Sequence, residues 1–102
     1  MNDWGRRRLY LVAYDVGDDK RWRRVFKIMR NWGDRVQLSV WRCELTPDER
    51  DTLEAQLRAE INPREDRVLL ALMGTPIAVE AAGRLRTLGL PIPPVEDGAL
   101  VV

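Results

Sequence analysis

Histidine is absent from the sequence, and there is a single cysteine, Cys43. Without histidine, the chain can form neither a histidine-based catalytic triad nor a zinc site of mixed cysteine and histidine ligands. One cysteine allows no internal disulfide, so we interpret Cys43 as a small apolar residue. The glycine motifs GxxxxGK[ST] and GxGxxG are also missing, which excludes the common nucleotide-phosphate loops. The candidate chemistry is therefore that of carboxylates and arginines.

Long hydrophobic runs are lacking as well. No stretch approaches the roughly 20 apolar residues of a transmembrane helix, and the start, MNDWGRRR, does not resemble a signal peptide. We expect a cytoplasmic protein with no membrane partner. The 102 residues, 45% of them hydrophobic, suffice for one core. We predict a single domain over residues 1–102, with its core in 8–90 and a tail, 91–102, that docks on a dimer partner or another protein.

The net charge of +1 conceals a strong asymmetry. Residues 1–42 contain 11 basic and 5 acidic residues, whereas residues 43–102 contain 6 basic and 11 acidic residues. Of the 17 basic residues 15 are arginine, which favours paired hydrogen bonds to phosphate, although a GC-rich coding bias would produce the same excess. A basic half of this kind indicates either a nucleic-acid-binding face or ordinary solvated helix surfaces.

A strand and a helix are predicted first. Residues 9–16 are rich in Leu, Tyr and Val, as is typical of a buried strand. Asp18 or Asp19 can cap the helix that follows, and Gly33 is placed for a left-handed C-terminal cap. Apolar residues recur between them at helical spacing, which predicts one buried stripe. Its members are Trp22, Val25, Phe26, Met29 and Trp32.

Alternating side chains predict a second strand over residues 35–45. The face that we expect to pack in the core carries Val36, Leu38 and Val40. The other face would be free for a partner, and it carries Arg35, Gln37, Ser39 and Trp41. Two interpretations of the aromatic residue on that free face stay open, namely stacking on a base and burial at a dimer interface.

The second half predicts a helix, a strand and two shorter elements. TPDE at 46–49 has the form of a capping box with proline at the first helical position. The helix that it begins would end at 62–63, and a strand at 68–73, a short helix at 75–82 and a short fourth strand at 84–89 would follow. The buried stripe of the longer helix would consist of Leu53, Leu57 and Ile61.

This order predicts an α+β fold, a ferredoxin-like βαββαβ sandwich with an antiparallel sheet and helices on one face. The chain ends in the apolar residues 99–102, which would form an exposed edge unless they pair with another chain. We therefore expect a C-terminal strand that pairs with the dimer partner and places Leu100 and Val101 in the interface.

Asp15, at the end of the first strand, is the main candidate for chemistry. Alternation places it on a face with Leu11 and Ala13, whereas Tyr14 points to the other face. A carboxylate in this position can cap a helix or form a salt bridge, and it can equally ligate a hard cation such as Mg²⁺. Because one aspartate supplies few ligands, we expect a two-fold dimer to contribute a second.

A metal ion held by that carboxylate could activate water against a phosphodiester, while arginines offset the developing charge. Each candidate for phosphate contact is also an ordinary surface residue in the alternative interpretation. These candidates are Arg23, Arg24, Arg35 and Ser39.

The segments YDVGDDKRWRRVFK and WGDRVQLSVWRCEL resemble the signature of the small CRISPR-associated endoribonuclease family, the second core protein of the adaptation module. The resemblance is close over residues 9–45, and DRVLLALMG and GALVV also correspond in order. Where many relatives carry another arginine, this chain has Trp22. This difference shifts the expected phosphate contacts to Arg23 and Arg24.

The resemblance implies a ferredoxin-like homodimer in which Asp15 of each subunit binds Mg²⁺, with Mn²⁺ as an alternative. It further implies cleavage of single-stranded RNA or double-stranded DNA, and assembly with the CRISPR integrase during spacer acquisition. We expect the dimer interface to include Tyr14, Gln37 and Trp41, besides the tail.

Three functional hypotheses follow. The first is a metal-dependent endonuclease, and the second is a non-catalytic adaptor that holds DNA between integrase dimers. The third is a ferredoxin-like regulatory domain that binds a small ligand, which the absence of a glycine-rich ligand loop disfavours.

Overall fold

The computed structural model describes residues 6–92, and this part of the chain forms four strands and three helices. In chain order the elements are β1 (Arg8–Asp15), α1 (Asp19–Trp32), β2 (Asp34–Gln37), β3 (Val40–Leu45), α2 (Pro47–Glu60), β4 (Arg67–Gly74) and α3 (Pro76–Ala82). None of these helices is long and apolar enough to span a membrane.

All strand pairs are antiparallel, and the order across the sheet is β2-β3-β1-β4. Helices α1 and α2 pack against each other and against β3. Between them and the sheet lies a core that includes Tyr10, Val12 and Tyr14 from β1. The predicted α+β sandwich of the ferredoxin-like type is therefore confirmed.

Helix α1 buries the stripe that its sequence predicts. Val25, Phe26 and Met29 are buried, and Trp22 and Trp32 are partly buried at the edge of the same core. Their 3- and 4-residue spacing keeps them on the face that meets the sheet.

Most of the predicted capping residues at the helix ends have the predicted role. The Asp18 side chain caps α1 by accepting a hydrogen bond from the Arg21 N–H at 2.9 Å. Thr46 and Glu49 form the capping box of α2. Gly33 does not adopt the predicted left-handed conformation, because its φ of −166° is extended. Glycine is needed there for space, since a Cβ would overlap the Arg42 carbonyl oxygen and the sulfur of Cys43.

The predicted single strand over 35–45 is wrong, because the chain turns at residues 38–39 and forms the hairpin of β2 and β3. The turn breaks the alternation on which the prediction rested. Leu38, predicted to be buried, is 68% exposed in the turn, whereas Trp41 is 1% exposed in the core. Arg35 lies opposite Trp41 in the β2–β3 register and so shares the side of the sheet that faces the helices.

After β4 the predicted short helix forms as α3, with Thr75 as N-cap and Gly83 in the left-handed conformation at its end. The predicted strand at 84–89 does not form. The Arg84 N–H is still bonded to the Val79 carbonyl, so the chain continues the helix end instead of reaching a sheet edge. Leu88 is consequently 95% exposed. The predicted C-terminal strand, with Leu100 and Val101, lies outside the described residues.

Candidate metal and nucleic-acid site

Asp15 is the last residue of β1, and its side chain is exposed. It lies on the sheet face away from α1 and α2, as alternation predicts, because the buried Tyr14 beside it faces the core. Within residues 6–92 no group of three or more acidic or cysteine side chains is arranged to hold a metal ion. The described part of one protomer therefore offers Asp15 as a single carboxylate and no complete metal cage.

We call the sheet side that carries Asp15 the open face. Alternation places Leu11 and Ala13 on it from β1, and Leu69 and Ala71 lie opposite them on β4. Leu69 is 58% exposed and Ala71 is exposed, while the β1 pair is half-buried. Neighbouring β3 adds the half-buried Val40 in the register position opposite Ala13. Along β1 and β4 the open face is thus apolar, with Asp15 at one end, whereas Arg42 of β3 lies opposite Leu11 and pairs in register with Asp34 of β2.

Arg67 is the register partner of Asp15, at the start of β4. Residues directly opposite each other in an antiparallel pair share a face, with Cβ atoms roughly 4.5–5.5 Å apart. Both side chains are exposed, and no ion pair links either to a described residue. Arg67 could not be predicted as a site residue from the sequence, because its position opposite Asp15 depends on strand register that no local motif reports.

A buried carboxylate, Asp66, fixes the backbone around this pair. Its side chain is 0% exposed and accepts hydrogen bonds from the Gly17 N–H at 2.9 Å and the Asn62 N–H at 2.8 Å. The Arg21 guanidinium donates to both of its oxygens, at 2.8 and 3.1 Å. Arg21 also pairs with Glu65 at 3.2 Å. This Asp66 network joins the loop after Asp15 to the residue before Arg67.

The electrostatics of the network keep Asp66 ionised. The hydrogen bond from Arg21, followed by the N–H groups of Asn62 and Gly17, holds the pKa of the Asp66 carboxyl well below its usual range, although burial opposes this. The same contact, helped by Glu65, raises the pKa of Arg21 above its ordinary value. The network could not be predicted from the sequence, since it connects residues 45 positions apart.

Ser39 lies at the same end of the sheet as Asp15. Its carbonyl oxygen accepts a hydrogen bond from the Tyr14 N–H at 3.0 Å, so the hairpin turn is attached to the end of β1. The Ser39 hydroxyl accepts a long hydrogen bond, 3.4 Å, from the Trp22 indole N–H. The structure therefore places Ser39 close to the candidate site, with its hydroxyl half-buried and directed to α1.

Tyr14 and Trp41 form an internal contact of the core. The Trp41 indole N–H donates to the Tyr14 hydroxyl at 3.1 Å, and both residues are at most 6% exposed. Burial raises the pKa of Tyr14. Both side chains are directed into the core of this chain, so the predicted free-face position of Trp41 is wrong, whereas the assignment of the two residues to a dimer interface stays a prediction. Gln37 is exposed opposite Val40, and its interface role stays a prediction.

The predicted basic residues lie on the helix side of the sheet. Arg23 and Arg24 are exposed in the first half of α1, and the Arg24 guanidinium lies 4.0 Å from Glu60. The Arg35 guanidinium lies 5.3 Å from the centre of the Phe26 ring, a residue of the same helix. Its predicted free-face position is therefore wrong, and it extends the basic surface of α1 instead.

A cleft of about 580 Å³ lies at the other end of β1, where it is lined by Leu9, Trp32 and Val79 among others. Asp15 and Arg67 do not line it. We therefore place the candidate site at the exposed carboxylate rather than in this cleft.

Comparison with known proteins connects this architecture to one family. Residues 8–76 match the family model of CRISPR-associated protein Cas2. A CRISPR-associated endoribonuclease Cas2 of Rhodospirillum rubrum is 42% identical over 79 residues, covering 74% of this chain and 78% of that protein. Its counterpart from Geobacter sulfurreducens is 34% identical over 94 residues, covering 92% and 97%. The crystal structure of Streptococcus pyogenes Cas2 superposes with a TM-score of 0.67, at 34% identity, over 79% of this chain and 99% of that one.

The family match covers β1 to the start of α3, which includes Asp15, Arg67 and the Asp66 network. The relatives are named as endoribonucleases, in agreement with the resemblance of the sequence. This protein belongs to the Cas2 family of CRISPR-associated nucleases.

Proposed function

We propose that the protein is a homodimeric, metal-dependent endonuclease in which the two Asp15 carboxylates hold one Mg²⁺ or Mn²⁺ ion. The observation that carries this proposal is the position of Asp15 at the end of an apolar, exposed sheet face. The relatives' names support nuclease activity on RNA, and the substrate we propose is single-stranded RNA or double-stranded DNA.

The open face supports the dimer. An exposed row of apolar residues on a sheet is unfavourable in water, and a second copy can cover it by a two-fold, self-complementary contact. Leu69 and Ala71 would then be buried against their equivalents. The two copies of Asp15 become neighbours in such a contact when the symmetry axis passes close to the end of β1, and this is the arrangement that the proposal requires.

The chemistry of Asp15 suits a hard cation. It is an exposed oxygen donor that forms no ion pair with any residue in 6–92, and Mg²⁺ commonly takes one or two protein carboxylates and keeps several waters. When bound, the ion supplies an activated water and a positive charge at the scissile phosphate. The protein's own contribution is to orient the carboxylate through β1 and to attract the nucleic-acid backbone with Arg23, Arg24 and Arg35.

A nuclease assay with and without Mg²⁺ tests this function. Asp15→Asn should reduce metal-dependent cleavage of a single-stranded RNA or a DNA duplex by at least about 100-fold, with the dimer intact. Asp19→Asn is the matched control, because it removes an exposed carboxylate four residues away and should leave cleavage nearly unchanged. Cleavage by purified Asp15→Asn protein at the wild-type rate would refute the assignment.

The basic half of the chain favours a second candidate, a DNA-holding adaptor that assembles with the CRISPR integrase. Arginines on α1 are sufficient for such a role, and Asp15 is not required for it. This adaptor function predicts tight, salt-sensitive binding of duplex DNA by Asp15→Asn protein and recovery of the integrase in a complex with it. The regulatory alternative, a small-ligand-binding domain, gains no support from the family comparison.

A further inference from the structure

Among the described basic residues, Arg67 is the one that lies directly opposite Asp15 in the β1–β4 register. It begins β4 directly opposite Asp15, so both side chains project from the open face at the same level of the sheet. Neither the nuclease nor the adaptor proposal above uses it. Its location raises the question of what a guanidinium contributes beside a carboxylate that is expected to bind a cation.

The backbone on both sides of the Asp15–Arg67 pair is tightly held. Asp66, which precedes Arg67, accepts the hydrogen bond of the Gly17 N–H, two residues beyond Asp15, and its side chain is fully buried. Consecutive ladder pairs from Leu11–Ala71 to Asp15–Arg67 fix the register from the other direction. Arg67 is therefore presented at a fixed distance from Asp15 by both the sheet and the Asp66 network.

Arg67 has no acidic partner among residues 6–92. Two other arginines of the described residues are neutralised locally, since Arg21 pairs with Asp66 and Glu65, and Arg50 pairs with Asp51. Arg67 is exposed and makes no ion pair, even though a carboxylate lies across the strand pair from it. A guanidinium that serves only to balance Asp15 would be expected within salt-bridge distance of it.

We propose that Arg67 is a phosphate-contacting residue of the Asp15 site, an inference that rests on the nucleic-acid binding of the proposed function. A nucleic-acid phosphate that approaches Asp15 is repelled by the carboxylate, and a neighbouring guanidinium offsets this repulsion while offering a planar pair of donors to two phosphate oxygens. In the two-fold dimer, the two Arg67 side chains flank the two carboxylates. The expected ligand is the sugar–phosphate backbone, so base sequence should not matter.

The test compares Arg67→Gln and Arg67→Lys with Arg64→Gln, the matched control. Arg64 is also exposed and unpaired among the described residues, and it precedes β4 by three positions. Binding of a fixed DNA duplex and a fixed single-stranded RNA is measured as Kd at several salt concentrations, without divalent metal. Arg67→Gln should raise Kd about 5- to 20-fold and lower the magnitude of the log Kd against log salt slope by roughly 1 per lost contact. Arg67→Lys should retain part of the affinity and most of the slope.

The outcomes separate this proposal from the nuclease proposal. A metal-free binding measurement remains informative even if the wild-type protein proves to cleave nothing, so failure of catalysis does not decide the role of Arg67. Equal Kd values and equal salt slopes for Arg67→Gln and Arg64→Gln would overturn the phosphate contact. So would a loss of affinity in Arg67→Gln with an unchanged salt slope, because a purely structural partner of Asp15 would not alter the number of phosphates neutralised. Thermal unfolding and dimer mass, measured on each variant, confirm that the comparison is between folded proteins.

Discussion

The Asp66 carboxylate accepts a hydrogen bond from the Gly17 N–H across 49 residues of sequence, at 2.9 Å. This contact ties the loop after Asp15 to the start of β4, and Arg21 completes it by donating to both carboxylate oxygens. The backbone on both sides of the candidate site is therefore held in place, although the Asp15 side chain is exposed.

Asp66→Asn should destabilise the protein. The substitution removes the charge from a fully buried group that receives a guanidinium and two backbone N–H groups, and an amide cannot accept all of these bonds. We expect thermal unfolding to shift down by about 5 °C or more. Glu65→Gln, which alters only the exposed partner of Arg21, should shift it much less. Equal unfolding temperatures for wild type and Asp66→Asn would show that the network does not hold the loop.

The lowered pKa of the Asp66 carboxyl predicts that the stability of the folded protein depends on pH. Because the pKa of Asp66 is lower in the folded protein than in the unfolded chain, the unfolded state binds the proton first. The resulting stabilisation is fully present above the unfolded value, about 3.9, and is lost as the pH falls below it toward the folded pKa. Urea midpoints measured from pH 6 to pH 2.5 should therefore fall steeply below about pH 4. Asp66→Asn should flatten that decline, and an identical profile in both proteins would contradict the assignment.

Leu69→Arg should convert the dimer proposed above to a monomer. Leu69 is 58% exposed on the open face, opposite Ala13, and two-fold contact would bring a new charge against apolar partners from the other copy. We expect the dimer dissociation constant to rise at least about 100-fold. Analytical ultracentrifugation measures it, and Leu88→Arg serves as control because that residue is 95% exposed and outside the sheet. A Leu69→Arg protein that remains dimeric would place the interface elsewhere.

Replacing Arg23, Arg24 and Arg35 by glutamine should weaken binding of duplex DNA at least about tenfold and reduce the salt slope by up to roughly 3. All three are exposed on the helix side of the sheet. The combination of Arg58→Gln and Arg64→Gln removes exposed arginines of the last turn of α2 and the segment after it, outside α1, and should change the slope little. If the triple variant kept the wild-type slope, the basic surface of α1 would not be the binding surface.

Features of the fold that depend on residues close together along the chain could be predicted from the sequence. The capping box of Thr46 and Glu49 and the buried stripe of α1 both follow from spacings of three and four residues, and both form as expected. The side of β1 that carries Asp15 was also predictable, because alternation within one strand is local.

The β2–β3 hairpin could not be predicted from the local sequence pattern. Residues 35–41 alternate as one strand would, and the Leu38-Ser39 turn carries no glycine, proline or asparagine to mark it. Its position is set by tertiary contacts, including the bond from the Tyr14 N–H to the Ser39 carbonyl. Trp41 was therefore placed on the wrong face. Arg67 and the Asp66 network were missed for a related reason, since both depend on pairing between distant segments.

The central claim is that two copies of the open face pair so that two Asp15 carboxylates share one cation. Titration of Mn²⁺ into the metal-free protein, followed by electron paramagnetic resonance, tests it most directly. We expect one tightly bound ion per two chains, which is lost in Asp15→Asn and also in the monomeric Leu69→Arg variant, whose Asp15 carboxylate is unchanged. One ion per chain, or undiminished binding by the Leu69→Arg monomer, would contradict it.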